Sequence, residues 1–330
     1  MWGLVSWLFE WARGADPASP FECHWHVGLS PVTADRIWPT PLRDILFDQT
    51  GELRTFAILD AARIPNLPVA LSTTDLAHTM LFQGGSASDL AEAGPWLVAL
   101  EPDHRFAQNM WIDSPAAWHL WASDAFVLCR SSRPLAELRK HLRRFTRLRR
   151  DTGDAWYYFR FWQADIMAAL ALRGPFELVG QLYAADCMAT VLLPIEDRIL
   201  ELTRKDSVEI KETAPKLDQA TWKAMGDAVE RRFFHRLGQE CVSQGAVDDS
   251  FAQAILRHLR DWGFSGHETI RSLALWWTTA DGASLVSQPW VQNELAASRG
   301  MPDAVRADRL FNLAEDMADA ANGTGDHATG

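Results

Sequence analysis

The sequence predicts an α/β N-terminal lobe, a mixed sheet with flanking helices, followed by an all-α C-terminal lobe. Three observations predict it. Short apolar runs of strand length alternate with helical or irregular segments through the first 204 residues. Beyond residues 205–216 the apolar period is helical only, and 330 residues exceed what one hydrophobic core usually organises. The boundaries read as a loosely attached lead over 1–22, an α/β lobe over 23–204, a linker over 205–216, a helical lobe over 217–320 and a disordered tail over 321–330.

Taken in order, the first strand run, Thr55–Leu59, ends at Asp60, and the second, Trp96–Leu100, follows the turn residues Gly94 and Pro95. Phe126–Cys129 is the third. After a turn at Asp151-Thr-Gly-Asp154 comes the aromatic run Trp156–Phe161. Strand alternation sets Tyr158, Arg160 and Trp162 on one face, opposite Tyr157, Phe159 and Phe161. Thr190–Leu193 and Ile199–Arg204 flank Pro194 and read as an edge hairpin. The segment Lys205–Lys216 is polar, contains Pro215 and lacks periodicity. Helices follow from Asp218 to about Gln244, Asp249 to Trp262, Ser265 to about Thr279 and Asp303 to about Ala318. Ser265 and Glu268 have capping-box spacing, and Gly263 is placed to end the helix before them.

Charge is distributed unevenly. From Arg130 to Arg150 there are nine Lys or Arg and one acid, Glu137, a net of +8; the chain as a whole carries −11, leaving −19 for the other 309 residues. Within this block Leu135, Leu138, Leu142 and Phe145 recur at helical steps, while Arg139, Lys140, Arg143, Arg144 and Arg147 occupy much of the remainder. The block reads as an amphipathic helix docked by its leucines. Its basic comb either meets a partner or is a solvated face neutralised by acids of the same fold. Arg160, among aromatics, needs a carboxylate or a stacking partner, which leaves a structural role and a partner contact both open.

Sixteen tryptophans against three tyrosines predict a bulky core in which indole N–H groups find polar partners. Cys23, Cys129, Cys187 and Cys241 lack the paired spacing of zinc or redox motifs and fit buried thiols in a reducing compartment. The apolar start is broken by Glu10 and lacks a basic leader, and no run approaches eighteen uninterrupted apolar residues, so the chain reads as cytoplasmic and without a membrane partner.

Common catalytic signatures are missing, which lowers the expectation of an enzyme without excluding one. Asp60, His104, Asp124 and Arg160 would have to converge to restore it. Cys23-His24-Trp25-His26 places two imidazoles on one side of an extended strand but is incomplete as a metal site. Gln83-Gly84-Gly85-Ser86 is the nearest approach to a phosphate loop, yet no Lys follows it. The sequence therefore calls for no metal and no cofactor. A nucleic-acid module using residues 130–150, with Trp156, Tyr157 or Tyr158 stacking on bases, is an alternative opposed by the overall negative charge.

The order of motifs is more specific than any one of them: Phe56–Ala61, Leu81–Gly85, Ala91–Val98, Leu138–Phe145 and Tyr158–Phe161. Over about residues 54–204 this series resembles the type VI secretion effector chaperones, also called adaptors or Tec proteins. Their pattern runs through an aromatic strand ending Leu-Asp, a Leu-Phe-x-Gly turn, a Gly-Pro-aromatic-Leu strand, a His-Leu-Arg helix and an Arg-Phe-Tyr-Asp-Pro strand end. Here Trp162-Gln163-Ala164 stands where the family has Tyr-Asp-Pro. The resemblance implies a non-enzymatic cytoplasmic protein that binds a cognate secreted effector and promotes its loading onto the VgrG spike protein. Partner contacts are expected at Arg139, Lys140, Arg143, Arg144, Arg147, Arg160 and Trp162.

Overall fold

The computed structural model describes residues 15–27, 38–48, 52–83, 90–114, 116, 118–183, 187–196, 198–205, 214–246, 248–279 and 288–323. Residues 1–14 of the expected lead over 1–22, the Gly84-Gly85-Ser86 segment, residues 206–213 of the linker and residues 324–330 of the tail lie outside the described residues. Residues 15–22 are fastened to the sheet-bearing unit, with Ser19 Oγ donating to Ala171 O at 2.7 Å and Phe21 buried, and residues 321–323 are helical. Cα proximity divides the chain into a sheet-bearing unit ending at Val229 and a helical unit beginning at Glu230. The division falls inside a helix rather than at residues 205–216. Leu217, Trp222, Met225 and Ala228 explain the difference, because they pack on the core of the sheet-bearing unit.

That unit is organised by β1 (Phe21–His26), β2 (Arg54–Asp60), β3 (His78–Met80), β4 (Pro95–Ala99), β5 (Phe126–Ser131), β8 (Thr190–Ile195) and β9 (Arg198–Arg204). They form one seven-stranded sheet in the order β1-β9-β8-β5-β2-β4-β3. All six pairings are antiparallel, where the sequence suggested a mixed sheet. The β8–β9 hairpin forms as expected but lies inside the sheet, because β1 pairs along β9 from Phe21↔Arg204 to His26↔Ile199 and takes the edge.

Alternation along the strands builds two cores. Phe56, Ile58, Leu97, Val127, Cys129, Val191 and Leu193 face one side, where they meet α4 (Leu135–Thr146), α5 (Ala164–Arg173) and α6 (Phe176–Leu182). Ala57, Leu59, Val98, Phe126, Leu128 and Leu192 face the other, with α1 (Thr40–Phe47), α2 (Leu67–Ser72) and α3 (Arg105–Asn109). The result is three layers, helices on both faces of a sheet. A run such as Phe56-Ala-Ile-Leu59 is apolar throughout because both of its faces are covered. The tryptophan expectation holds for packing and, for hydrogen bonding, at Trp96, whose Nε1–H donates to Ala91 O at 2.9 Å. Trp38, Trp111 and Trp121 cluster against this second core, but the Nε1 atoms of Trp38, Trp111 and Trp162 are buried without a hydrogen-bond partner among the described residues.

A second, three-stranded sheet has the order β10-β6-β7, from β10 (Lys216–Leu217), β6 (Arg147–Arg150) and β7 (Trp156–Tyr158). β10 pairs with β6 in parallel and β6 with β7 antiparallel, so the mixed character is confined here. The basic block is therefore three elements rather than one helix. Arg130 is in β5, residues 135–146 are α4, and Arg147-Leu-Arg-Arg150 is a strand because its polarity alternates: Leu148 is buried while Arg147 and Arg149 are exposed.

The helical unit holds the C-terminal part of α7 (Gln219–Ser243), then α8 (Asp249–Asp261), α9 (His267–Thr278), α10 (Pro289–Ala297) and α11 (Asp303–Gly323). Leu237, Cys241, Ile255, Leu259, Ile270, Leu273, Val291 and Leu310 form its core. Gly263, at φ +82°, ends α8 as the sequence suggests, with Phe264 N–H returning to Leu259 O at 3.1 Å. The Ser265–Glu268 capping box does not form. Instead Asp303 Oδ2 accepts from Ser265 N–H at 2.7 Å and Gly266 N–H at 2.8 Å, so the start of α9 is capped from the first turn of α11. Among the described residues no helix is long and apolar enough to cross a membrane.

Candidate partner-binding surface

Three of the five sequence motifs, those of Leu81–Gly85, Ala91–Val98 and Tyr158–Phe161, meet at one aromatic side chain, Phe82. Its ring lies 5.2 Å from that of Tyr158 and 6.2 Å, edge-on, from that of Trp162. Gly94 makes this possible: a Cβ there would stand 2.7 Å from Phe82 Cδ2 and 2.9 Å from Met80 Cε. Leu81, fully buried, donates its N–H to Pro95 O at 2.9 Å, fixing the Leu-Phe turn against the Gly-Pro strand. From α4, Arg139 Nε donates to Met80 O at 2.8 Å and His141 Nε2 contacts Leu182 O at 2.9 Å.

Trp162 does not reach the surface. It is 2% exposed, because the chain turns into α5 directly after Phe161 and carries the indole into the core. Before that turn the expected alternation holds, with Phe159 and Phe161 buried and Tyr158 and Arg160 exposed. The departure from Tyr-Asp-Pro also has a structural meaning. Gln163 is the N-cap of α5 and Ala164 its first helical residue, the positions where Asp and Pro are favoured; Gln163 makes no side-chain cap.

The basic residues divide by what they do. Arg130, 7% exposed, donates to Ile45 O and Asp48 O at 3.0 Å and Leu53 O at 3.3 Å, tying α1 and the chain before β2 to the sheet. Arg139 also serves the fold; burial and the neighbouring Arg143 hold its pKa below the usual arginine value. Arg149 pairs with Asp154 across the β6–β7 turn, and Arg150 bonds Gln219 while lying over the Trp222 ring. Lys140, Arg143, Arg144 and Arg160 make no ion pair among the described residues, and Lys140, Arg144 and Arg160 are exposed.

The small sheet joins these cations to exposed aromatics. Its register aligns Lys216, Arg149 and Trp156 in one row and pairs Arg147 with Tyr158 in another. Trp156 is 54% and Tyr158 50% exposed. The Arg147 guanidinium lies 5.4 Å from the centre of the Trp156 ring, an attraction of about 0.5–1 kcal/mol that leaves the indole exposed. The opposite face carries Leu148, Leu217 and Tyr157, with Tyr157 edge-on to Trp222 at 4.6 Å. Large aromatics and arginines exposed together are the composition that interface centres favour. Sequence reasoning passed over Phe82, Arg149 and Lys216 in this surface. The period of two in Arg147-Leu-Arg149 was the available signal.

The other candidate residues are dispersed. Buried Asp60 lies 3.7 Å from Arg63 Nε, and Arg63 donates to Asp124 O at 3.0 Å, so Asp60 and Asp124 share an arginine. Since Asp60 pairs with Pro95, the chain leaves β4 toward His104 at the opposite end of β2. His104 Nδ1 accepts from Phe106 N–H, and its Nε2 meets Asp75 at 2.9 Å. His24 and His26 do lie on one side of β1, their rings 4.6 Å apart, with His26 bonded to Glu201 at 2.8 Å. No group of three or more His, Cys, Asp or Glu is placed to hold a metal ion among the described residues. Burial pushes the Cys129 thiol up to about 12 and the Cys23 thiol to about 11, so both stay protonated at neutral pH.

Residues 55–173 match the family described as a domain of unknown function (DUF4123). The match begins in β2, ends with α5 and includes Phe82, Gly94, α4, β6 and β7. No curated protein and no solved structure gave a match.

Proposed function

We propose that this chain is a non-enzymatic adaptor of type VI secretion, a cytoplasmic protein that binds a secreted effector and promotes its loading onto the spike protein. The matched family is associated with such adaptors, and the span of the match falls within the region whose motifs resemble them. The observation that carries the reading is that three of those motifs meet at Phe82, beside an exposed face built from Arg147, Trp156 and Tyr158. An adaptor needs a surface of this kind, with anchors that are aromatic, cationic and accessible.

The test is co-expression of the full chain with an effector and a spike protein encoded beside it, followed by purification through the adaptor. A stable complex with the effector is expected; recovery of neither partner would refute the reading. The same aromatic and cationic face gives the nucleic-acid alternative its one specific support, since stacking rings beside arginines suit single strands. That alternative requires oligonucleotide binding that weakens steeply with salt.

A further inference from the structure

We propose that the outer edge of β7 is a strand-addition site for an extended acidic segment of a protein partner. This rests on the adaptor reading and specifies how the effector would be held. β7 ends its sheet, so one side of it is paired with β6 and the other is not paired with any described strand. In an antiparallel ladder only alternate residues turn their backbone groups toward the partner. Arg150 N–H bonds Ala155 O at 3.4 Å and Phe159 N–H bonds Thr146 O at 3.2 Å, which sets the phase of the β6–β7 ladder. Residues 155, 157 and 159 therefore face β6. Trp156 and Tyr158 turn their N–H and C=O outward, two donors and two acceptors in strand geometry.

The same two residues carry the exposed rings, so an added strand would meet backbone hydrogen bonds at the edge and aromatic surface on the face. Charge selects the occupant. Arg147, Arg149 and Lys216 line that face, Arg160 follows β7, and Lys140, Arg143 and Arg144 precede β6 on α4, with Asp154 the acid paired to Arg149. A second copy of β7 would set Trp and Tyr beside Tyr and Trp and bring two cationic faces, each with Arg147 and Arg149 on β6, side by side, whereas acidic side chains at alternate positions would be attracted. The partner chemistry is an extended polypeptide with acidic residues at alternate positions.

The probe is a synthetic peptide of about six residues alternating Glu and Val, a typical strand length. It is titrated into the full chain, with a Lys-Val peptide and a single-stranded oligothymidylate as controls. Binding of the Glu-Val peptide is expected to slow amide exchange at Trp156 and Tyr158 while leaving Leu148 and Tyr157 unchanged. Trp156→Pro removes an outward N–H and leaves the β6 ladder bonds intact; Trp156→Thr removes the ring alone. The proline variant should lose at least tenfold more affinity than the threonine variant, with protection of Leu148 and Tyr157 reporting that the ladder survives.

Equal losses in the two variants, no protection at Trp156 and Tyr158, or tighter binding of the oligonucleotide would each overturn the proposal. Repeating the exchange measurement on the co-purified effector complex separates the two readings. A complex that leaves those amides unprotected refutes strand addition alone, and the absence of any complex refutes the adaptor role.

Discussion

Gly94 is small because Phe82 occupies the space its side chain would need. Gly94→Ala should destabilise the protein by about 1–3 kcal/mol, the cost of overpacking a close contact, and turn Phe82 away from Tyr158 and Trp162. Chemical denaturation with tryptophan fluorescence measures both effects, and an unchanged midpoint would contradict the packing. Gln163 offers the converse case, a helix start without its side-chain cap. Gln163→Asp combined with Ala164→Pro should raise stability by about 1 kcal/mol, measured as a shift of the denaturation midpoint. At this scale the sequence identified which residues were unusual but not what they did. Arg139 and Trp162, both expected at a partner interface, serve the fold, because carbonyl geometry and the turn into α5 arise only from tertiary structure.

At the scale of elements, helix ends and strand edges decide what is legible. Gly263 terminates α8 through its own positive φ, a local property that can be read from the residue type. The start of α9 could not be read in the same way, since its cap, Asp303, lies 37 residues beyond Gly266. Burial raises the Asp303 pKa, but bonds from Ser265 and Gly266 and the nearby Arg306 outweigh it and leave the carboxyl below its ordinary value. A depressed carboxylate pKa stabilises the fold above the unfolded value of about 4 and loses that contribution as the pH falls through the folded value. Asp303→Asn should therefore cost about 1 kcal/mol at pH 7 and progressively less as the pH drops below about 4. Denaturation of wild type and variant across that range measures the convergence, and a pH-independent gap would show that the charge is irrelevant. The same limit applied to β6: its two-residue period sits directly against the helical period of α4, and the basic block concealed the change.

At the scale of the whole molecule, the apolar pattern was enough for a sheet-bearing part and a helical part, because each period reflects a face that must be buried. Strand order was not legible, since antiparallel and mixed sheets place similar residues in their strands when both faces are covered. The unit division at Val229 was hidden as well. Trp222, Met225 and Ala228 lie on a continuous helical pattern whose first turns bury against the sheet-bearing core. The candidate surface follows from this organisation, because β6 sets Arg147 and Arg149 on the exposed face of the small sheet, directly after α4 and within the span that matches the family.

On the proposed adaptor role, this surface holds the effector. The most direct test is the affinity of the purified effector for the full chain and for a variant with Trp156→Ala, Tyr158→Ala and Arg147→Glu. All three side chains are exposed, so the variant should keep its denaturation midpoint within about 0.5 kcal/mol per site while binding falls at least tenfold, as expected when interface anchors are removed. Undiminished binding by a folded variant would contradict the account.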